Sequence, residues 1–579
     1  MFAKYTNYHT SLGGFTIGDI HVYHPLQFFE FISKFKKSAP LANAISTKIF
    51  FIINFTAFFI IFMITRKNIK NISHGSASFA EKNDIDSMDL FPKKEEIIKA
   101  YEKAGFYSLY KEKIKTKEEF ETDGVVIGRD QFGRDLMDIQ THPVTIVAPT
   151  RSGKGVSLVI PTLLTWKGSV IINDIKGENW ALTSVYRTSI GQKCLKFAPT
   201  DLDSCHFNPL VEIRKASLFE YQDARNIADI IISPDPDKDD FFSKNAVNLL
   251  TAVILHVLYV IEDRVATLVD VNDFMTNPSN SLEEKLELMK TTPHNQKYEE
   301  NLFENIYGKV IEIDGDLQPR VHPSISEIGS HLLNSAPNER SGIISSSLTN
   351  IKVLTTPTIA KNIQNSDFRI DDLMNFEVPI SLYFVTPPSD LRIVAVLMKI
   401  LLTQIIYILT KKMKIVDGRT DYKNKLLLLI DEFPTLGRMN LLHDSLAYVA
   451  GYGIKPTIII QDIAQINKIY GENNSIISNC RISVFYTPND EKTPMLIEKK
   501  LGKKTVKQTT ESYDGAFKIM AKKHYNESYI SRSLMTPDEI SQMDEDKTLI
   551  FVTGKKPIMG QKIRWYLEEK FKKRQAIKL

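Results

Sequence analysis

The chain has 579 residues, 43% of them hydrophobic and 25% charged, with a formal net charge of +4. These values fit a globular protein of several domains, and they exclude a disordered chain and a nucleic-acid binder recognisable from bulk charge alone. Cys194, Cys205 and Cys480 are the three cysteines; they are far apart with no C-x-x-C pair, which excludes a disulfide frame and a cysteine zinc site and fits a reducing compartment.

Residues 1–48 are mixed in character and include the aromatic patch "PLQFFEFI". Ile49 to Thr65, "IFFIINFTAFFIIFMIT", is 17 residues with no charge and one strongly polar side chain, Asn54. A bilayer needs ~17–25 such residues, and phenylalanine and isoleucine leave this helix no polar face. The stretch 49–65 therefore predicts a transmembrane helix, with 1–48 outside the cytoplasm. It begins too late for a cleaved signal peptide. Lys34, Lys36, Lys37 and Lys48 precede it and Arg66, Lys67, Lys70 and Lys82 follow, so flanking charge does not set its orientation. Residues 66–120 are polar, with "KKEEIIKAYEKAGFY" helical in period.

From 125 onward short β-rich runs alternate with longer helical ones. "VTIV" predicts a strand, "APTRSGKG" a loop, "GVSLVIPTLLTW" a helix that Pro161 kinks, and "SVIIND" a second strand ending at Asp174. Strand, loop, helix and strand make a βαβ unit, which implies a parallel sheet with ligands at its carboxyl edge. Residues 210–365 read as a helical insertion. "VPISLYFVTPP", "KLLLLIDEFP", "KPTIIIQD" and "RISVFYT" then resume the sheet. The apolar stretches 246–261 and 393–409 carry Asn248, Thr251, His256, Lys399 and Gln404 and read as buried helices of a large domain. The cationic end "KFKKRQAIK" reads as a solvated tail, with non-specific phosphate contact at most.

The loop 148–155 departs from the G-x-x-x-x-G-K-[ST] phosphate-binding pattern. Ala148 replaces the first glycine and Gly155 the hydroxyl residue. Pro149, Thr150, Arg151, Ser152, Gly153, Lys154, Gly155 and Val156 are the expected nucleotide contacts: backbone N–H groups at a helix start cradle phosphates, and Lys154 adds a point charge. Without a hydroxyl at 155, a metal relies on water, phosphate oxygens and a carboxylate elsewhere, with Ser152 or Ser157 as possible helpers. In "LLLLIDEFPTLG" a strand buried on both faces ends in two acids, which is costly without partners. A magnesium–ATP complex beside the loop supplies those partners: Asp431 is the metal carboxylate, and Glu432 orients and polarises the attacking water. Gln461, ending "TIIIQD", is placed to sense a γ-phosphate. Arg340, Arg392, Arg438 and Arg481 are the candidates for charge supplied in trans. Asp174, Lys176 and Glu178 either line the nucleotide or cap the next helix.

"APTRSGKGVSLVIPTLLTW", "DIKGENW", "FNPL", "NERSGIISS", "DEFPTLGR" and "AGYG…QD…YG…NC" occur in this order. Together they resemble the type IV secretion coupling proteins of the TraG/VirD kind, from about 74 to about 560. That family tolerates "GKG" in its loop. The resemblance puts the nucleotide lysine on Lys154, the metal carboxylate on Asp431 and the catalytic acid on Glu432. It implies a RecA-like P-loop NTPase domain at 66–209 and 366–579, an α/β fold with a parallel-rich central sheet and an all-α insertion at 210–365. It also implies an N-terminal transmembrane anchor in the bacterial inner membrane, with 66–579 cytoplasmic. The implied assembly is a homo-hexamer that uses ATP and Mg2+. Its implied partners are a relaxase–DNA complex or secreted protein effectors, the channel components, and single- or double-stranded DNA contacted without sequence specificity. The family usually has two transmembrane helices; one is found here, and the chain opens inside the segment that would lie between them. Two alternatives remain open. An FtsK/HerA-like DNA translocase would share the loop and the acidic strand but lack the "NERSG" and "AGYG" segments. A docking receptor that binds ATP with little hydrolysis is kept open by Gly155.

Overall fold

The computed structural model describes residues 40–67, 75–91, 123–232, 240–294, 321–411, 419–514 and 522–578, with short pieces between 15 and 38 and at 312–313, 316–317 and 415–416. The expected helix at 93–107, the patch "PLQFFEFI" apart from Glu30, and 233–239 lie outside the described residues. The chain forms two compact units, Met1–Ser76 with Lys503–Arg532, and Ala77–Gly502 with Ser533–Leu579.

The first unit contains a helix over Pro40–Lys67, 28 residues. It extends past both ends of the apolar run 49–65 and measures about 42 Å at 1.5 Å per residue. Phe51, Ile52, Ile53, Phe55, Phe58, Phe59 and Ile60 are all exposed, so apolar side chains face outward around most of the stretch 51–60. Asn54 and Thr56 turn their side chains back onto its own carbonyls, Asn54 Nδ2 donating to Phe50 at 2.9 Å and Thr56 Oγ1 to Ile53 at 2.8 Å. The same unit holds a long hairpin, Lys503–Asp514 with Lys522–Ser533. The sequence reading assigned this stretch to the nucleotide-binding region.

The second unit is built on an eleven-stranded sheet. In chain order its strands are β1 (Val125–Arg129), β2 (Asp135–Asp138), β3 (Val144–Val147), β4 (Ser169–Asp174) and β5 (Lys193–Phe197). They continue as β6 (Ile380–Val385), β7 (Leu426–Ile430), β8 (Ile454–Ile460), β9 (Ile482–Phe485), β10 (Lys547–Val552) and β11 (Ile558–Gln561). The spatial order is β2-β1-β11-β10-β9-β3-β8-β7-β4-β6-β5. From β9 to β5 every pairing is parallel, and from β9 to β2 every pairing is antiparallel. The fold is therefore α/β with a mostly parallel central sheet.

Because side chains alternate along a strand, one apolar run feeds two cores. Leu426, Leu428 and Ile430 of β7 join one buried cluster, and Leu427 and Leu429 join the other. This is why "LLLLI" lacks the polar alternation of a half-solvated strand. The larger cluster also takes in the helices Glu220–Ile232, Phe241–Val260, Pro337–Leu354 and Leu391–Leu409. Among the described residues of 210–365 helices dominate, with one short antiparallel pair, Glu312–Ile313 with Asp316–Leu317. The helices share a core with the sheet: Ile227 and Leu250 belong to one buried cluster with Leu382 and Leu428 of its strands. Phe241–Val260 and Pro388–Leu409 are long and apolar enough to cross a membrane, but more than half of each is buried within the protein.

The C-terminal end is docked, which corrects the reading of a solvated tail. In the helix Glu569–Gln575, Phe571 and Arg574 are buried. Lys570 pairs with Asp135, and Arg574 Nη1 donates to the Leu164 carbonyl at 2.8 Å. A phenylalanine and an arginine three residues apart fall on one helix face, and a charge run conceals that spacing.

Candidate nucleotide site at the carboxyl edge of the sheet

Strand register alone gathers the chemistry. Val147, the end of β3, pairs with Ile460 of β8, and Ile430, the end of β7, pairs with Ile458. Ala148, Gln461 and the acids 431–432 therefore leave the sheet at one edge. β8 separates β3 from β7, a gap of about 10 Å at two strand spacings, which an extended lysine bridges.

The loop turns on two left-handed residues, Arg151 (φ 60°) and Gly153 (φ 85°). Pro149 is buried, Thr150 and Arg151 are exposed, and Ser152 through Val156 are half-buried. Lys154 has helical backbone angles and caps a wide turn over Gly155–Val159. Its Nζ lies 2.9 Å from Asp431 Oδ1 and 3.2 Å from Glu432 Oε2. Burial opposes the charge on Lys154, but Asp431 and Glu432 together outweigh it and raise the ammonium pKa.

Each acid is held in place. Asn173 Nδ2 donates to the Asp431 carbonyl at 2.7 Å, and the Glu432 amide donates to Asp431 Oδ1 at 3.0 Å. Glu432 adopts φ 55°, ψ 47°. A left-handed conformation costs a non-glycine residue about 1 kcal/mol or more. It turns the acid out of the strand direction, toward Gln461, whose Nε2 donates to Glu432 Oε1.

The donor set fits a nucleotide with a divalent cation. One ammonium against two carboxylates leaves a surplus negative charge that a cation offsets. Ser152 Oγ is buried with no hydrogen-bond partner, a donor that a phosphate oxygen would satisfy. A Cβ added at Gly155 meets nothing within 4 Å, so the missing hydroxyl does not reflect crowding.

Other expected residues fall elsewhere. Asp174 is buried and accepts from the Trp180 amide at 2.9 Å. Burial raises its pKa against the pull of surrounding backbone donors, so it caps the helix Glu178–Ser189. Ser157 Oγ donates to the Gly153 carbonyl at 2.7 Å and sits 2.5 Å from Tyr486 Oη, so it is engaged inside the fold. Arg340 is buried and pairs with Glu283 at 3.2 Å. Arg481 precedes β9 and meets His142 before β3, which places it at the amino edge, away from Lys154. Arg392 and Arg438 follow β6 and β7 at the carboxyl edge. The sequence reading missed Asn173, Tyr486 and Lys562. Asn173 had a signal, as a polar residue next to the end of a buried strand; the other two had none.

Residues 78–578 match the profile of the family described as type IV secretory system conjugative DNA transfer. The chain belongs to this family. It is 33% identical over 533 residues to a conjugal transfer protein TraG of Escherichia coli, covering 87% of this chain and 78% of that one. It is 29% identical over 451 residues to the protein VirD4 of Agrobacterium fabrum, covering 76% of this chain and 61% of that one. Among solved structures it is similar to the bacterial conjugative coupling protein TrwBdeltaN70 in its unbound monoclinic form. That likeness has a TM-score of 0.54 at 14% identity and covers 77% of this chain and 90% of that one. The plasmid coupling protein TrwB in complex with ADP and Mg2+ gives a TM-score of 0.52 at 14% identity, covering 79% and 91%. At this identity the likeness is one of fold. This type IV secretion coupling protein thus has an NTPase-type fold, as its ordered motifs implied.

Proposed function

We propose that this coupling protein hydrolyses ATP with Mg2+ at the site formed by the loop 149–156, Asp431, Glu432 and Gln461, and spends the energy delivering cargo to a type IV secretion channel. The observation that carries the reading is the meeting of Lys154 with Asp431 and Glu432, within 3.2 Å, from strands two places apart. Backbone N–H groups of 150–156 cradle the phosphates, with Pro149 fixing the entry to the loop, and Lys154 leaves its carboxylates for the β- and γ-phosphate oxygens. Asp431 holds the metal, which when bound offsets phosphate charge. Glu432 orients the attacking water and takes its proton. Gln461, bonded to Glu432, senses whether the γ-phosphate is in place. Arg392 or Arg438 of a neighbouring subunit completes the site in a hexameric ring.

The cargo is a relaxase–DNA complex or protein effectors, with DNA contacted without sequence preference. In the domain scheme, 66–209 and 366–579 form the nucleotide-binding part, apart from their pieces 66–76 and 503–532 in the other compact unit, and the helical stretch 210–365 faces cargo. The helix Pro40–Lys67 anchors the chain in the bacterial inner membrane, with 1–48 outside and the bulk of the chain cytoplasmic. Its outward-facing apolar residues and self-satisfied polar side chains support this.

Phosphate release by the purified full chain, with and without single-stranded DNA, tests the proposal. Glu432→Gln is expected to lower hydrolysis by about 10²-fold or more while retaining nucleotide binding, and Lys154→Ala to lose both. Basal release unchanged in Glu432→Gln removes the catalytic assignment. Binding without any release in the native chain favours the docking receptor.

A further inference from the structure

We propose that Lys562 is a positioning residue for the phosphate-binding loop, holding it from behind so that its N–H groups face the nucleotide. This rests on the nucleotide reading above. Lys562 directly follows β11, about 400 residues after the loop in the chain. Its Nζ donates to the Ser152 carbonyl at 2.9 Å and lies 4.2 Å from the centre of the Tyr486 ring. Tyr486 is fully buried and its hydroxyl meets Ser157 Oγ. Because the Ser157 proton is already given to the Gly153 carbonyl, Tyr486 is the donor of that pair. Two successive loop carbonyls are thus held in place, that of Ser152 by Lys562 and that of Gly153 by the Ser157 hydroxyl together with the Ser157 amide at 3.0 Å.

The consequence follows from peptide planarity. In a trans peptide the C=O of one residue and the N–H of the next point opposite ways. Holding the carbonyls of Ser152 and Gly153 backward therefore turns the N–H groups of Gly153 and Lys154 forward. The loop needs such a constraint. Gly153, at φ 85°, occupies a region open to glycine in several arrangements, and its would-be Cβ touches only Val156 at 3.6 Å. The Ser152 amide and the Gly153 carbonyl are tied to Pro149 and Ser157 within the loop itself, and the Ser152 carbonyl between them is held by Lys562.

The setting of Lys562 argues against an ordinary surface lysine. It is half-buried, and no carboxylate lies within ion-pair distance among the described residues. Burial lowers its pKa, with Asp546 the largest opposing influence and Arg564 adding to the lowering. An ammonium held without a paired carboxylate, against a neutral carbonyl and an aromatic face, contributes little to stability for its desolvation. What it does supply is a charge-assisted hydrogen bond to the loop.

The test is titration of the full chain, in detergent with Mg2+, by a fluorescent ADP analogue, alongside unfolding without nucleotide. Lys562→Met is expected to weaken ADP binding about tenfold and raise KM for ATP similarly, with kcat within about threefold. Lys562→Arg is expected to retain affinity, and all three unfolding midpoints to agree within about 2 °C. If the methionine variant does not fold, Lys562→Gln, whose amide cannot reach Ser152, is expected to show the same tenfold loss. Methionine or glutamine variants that bind like the native chain overturn the inference. A loss that Lys562→Arg does not rescue, or that tracks a fallen midpoint, overturns it too. Failure of the nucleotide reading looks different: the native chain itself does not bind, or Lys154→Ala binds as tightly.

Discussion

The large sheet carries a lysine–carboxylate pairing at each edge, and the two are built differently. At the amino edge Lys455 of β8 is 0% exposed and Asp138 4%. Its Nζ donates to Asp138 Oδ2 at 2.5 Å, the Gln140 carbonyl at 2.8 Å and the His142 carbonyl at 3.0 Å, which uses all three donors of an ammonium. At the carboxyl edge Lys154, Asp431 and Glu432 are 16%, 22% and 17% exposed. There two carboxylates share one ammonium. The pKa directions differ accordingly. Burial outweighs Asp138 and lowers Lys455, whereas the two acids outweigh burial and raise Lys154. A saturated, dry pair is fixed in place. A wet one with surplus acid can exchange partners, and exchange is what a nucleotide requires.

The sharpest way to break this comparison is to remove each lysine. Lys455→Met leaves Asp138 buried and unpaired, which typically costs about 3–5 kcal/mol. Denaturant unfolding is expected to show that loss, while nucleotide affinity of the folded fraction stays near native. Lys154→Met removes a partly solvated pairing and is expected to cost clearly less than Lys455→Met, yet to abolish nucleotide binding. A stable Lys455→Met, or a severely destabilised Lys154→Met, would show that burial does not separate the two roles.

The same division marks what was readable from sequence. Parallel strands buried on both faces are continuous apolar runs, so "VTIV", "SVIIND", "LLLLI" and "TIIIQ" were legible, and the polar residues that end them were legible with them. The antiparallel half was not. "GVVIGRDQFGRDLMD" interleaves charges with apolar residues, and Asp130 is an internal cap, bonded to the amides of Phe132 and Arg134 and paired with the Arg134 guanidinium at 2.7 Å. A turn acid and a surface acid look alike in a sequence. The hairpin 503–533 is polar on both faces and carries no burial pattern. Lys562 escaped notice because its partner is a main-chain carbonyl, and no residue type announces that.

A buried histidine network in the helical stretch extends the comparison. The His322 amide donates to His294 Nδ1 at 3.0 Å, so the His294 proton lies on Nε2, which faces His256 Nδ1 at 3.0 Å. His322 Nε2 in turn meets Glu220 Oε1 at 3.1 Å, and Tyr259 donates to the same carboxylate at 2.6 Å. Burial pushes His256 down to about 4 and His294 to about 3, from 6.5. Both are neutral in the fold while the unfolded chain takes up protons from about pH 6.5 downward. The contribution of these two histidines is therefore constant above 6.5 and is lost as pH drops from there toward 4, by about 3 kcal/mol for each. Unfolding midpoints measured from pH 7 to 5 are expected to fall less steeply in His256→Gln, which keeps an acceptor but does not titrate. Equal slopes in variant and native chain would detach this network from the acid response.

The smallest expected effect probes the open edge directly. Gly155 has an ordinary φ, and an added Cβ meets nothing within 4 Å. It also lies one residue inside a wide helical turn, where serine replaces glycine at little cost and removes chain entropy from the unfolded state. Gly155→Ser is therefore expected to keep the unfolding midpoint within about 2 °C of native, or slightly above it. Hydrolysis separates two ways of holding the metal. If Asp431 and water suffice, the new hydroxyl changes the Mg2+ dependence by less than about threefold. If the native loop is short of a ligand, the variant needs less Mg2+ for half-maximal phosphate release. A large loss of stability instead would mean that the space beside residue 155 is filled in the folded protein, and that the carboxyl edge is as closely packed as the amino edge around Lys455.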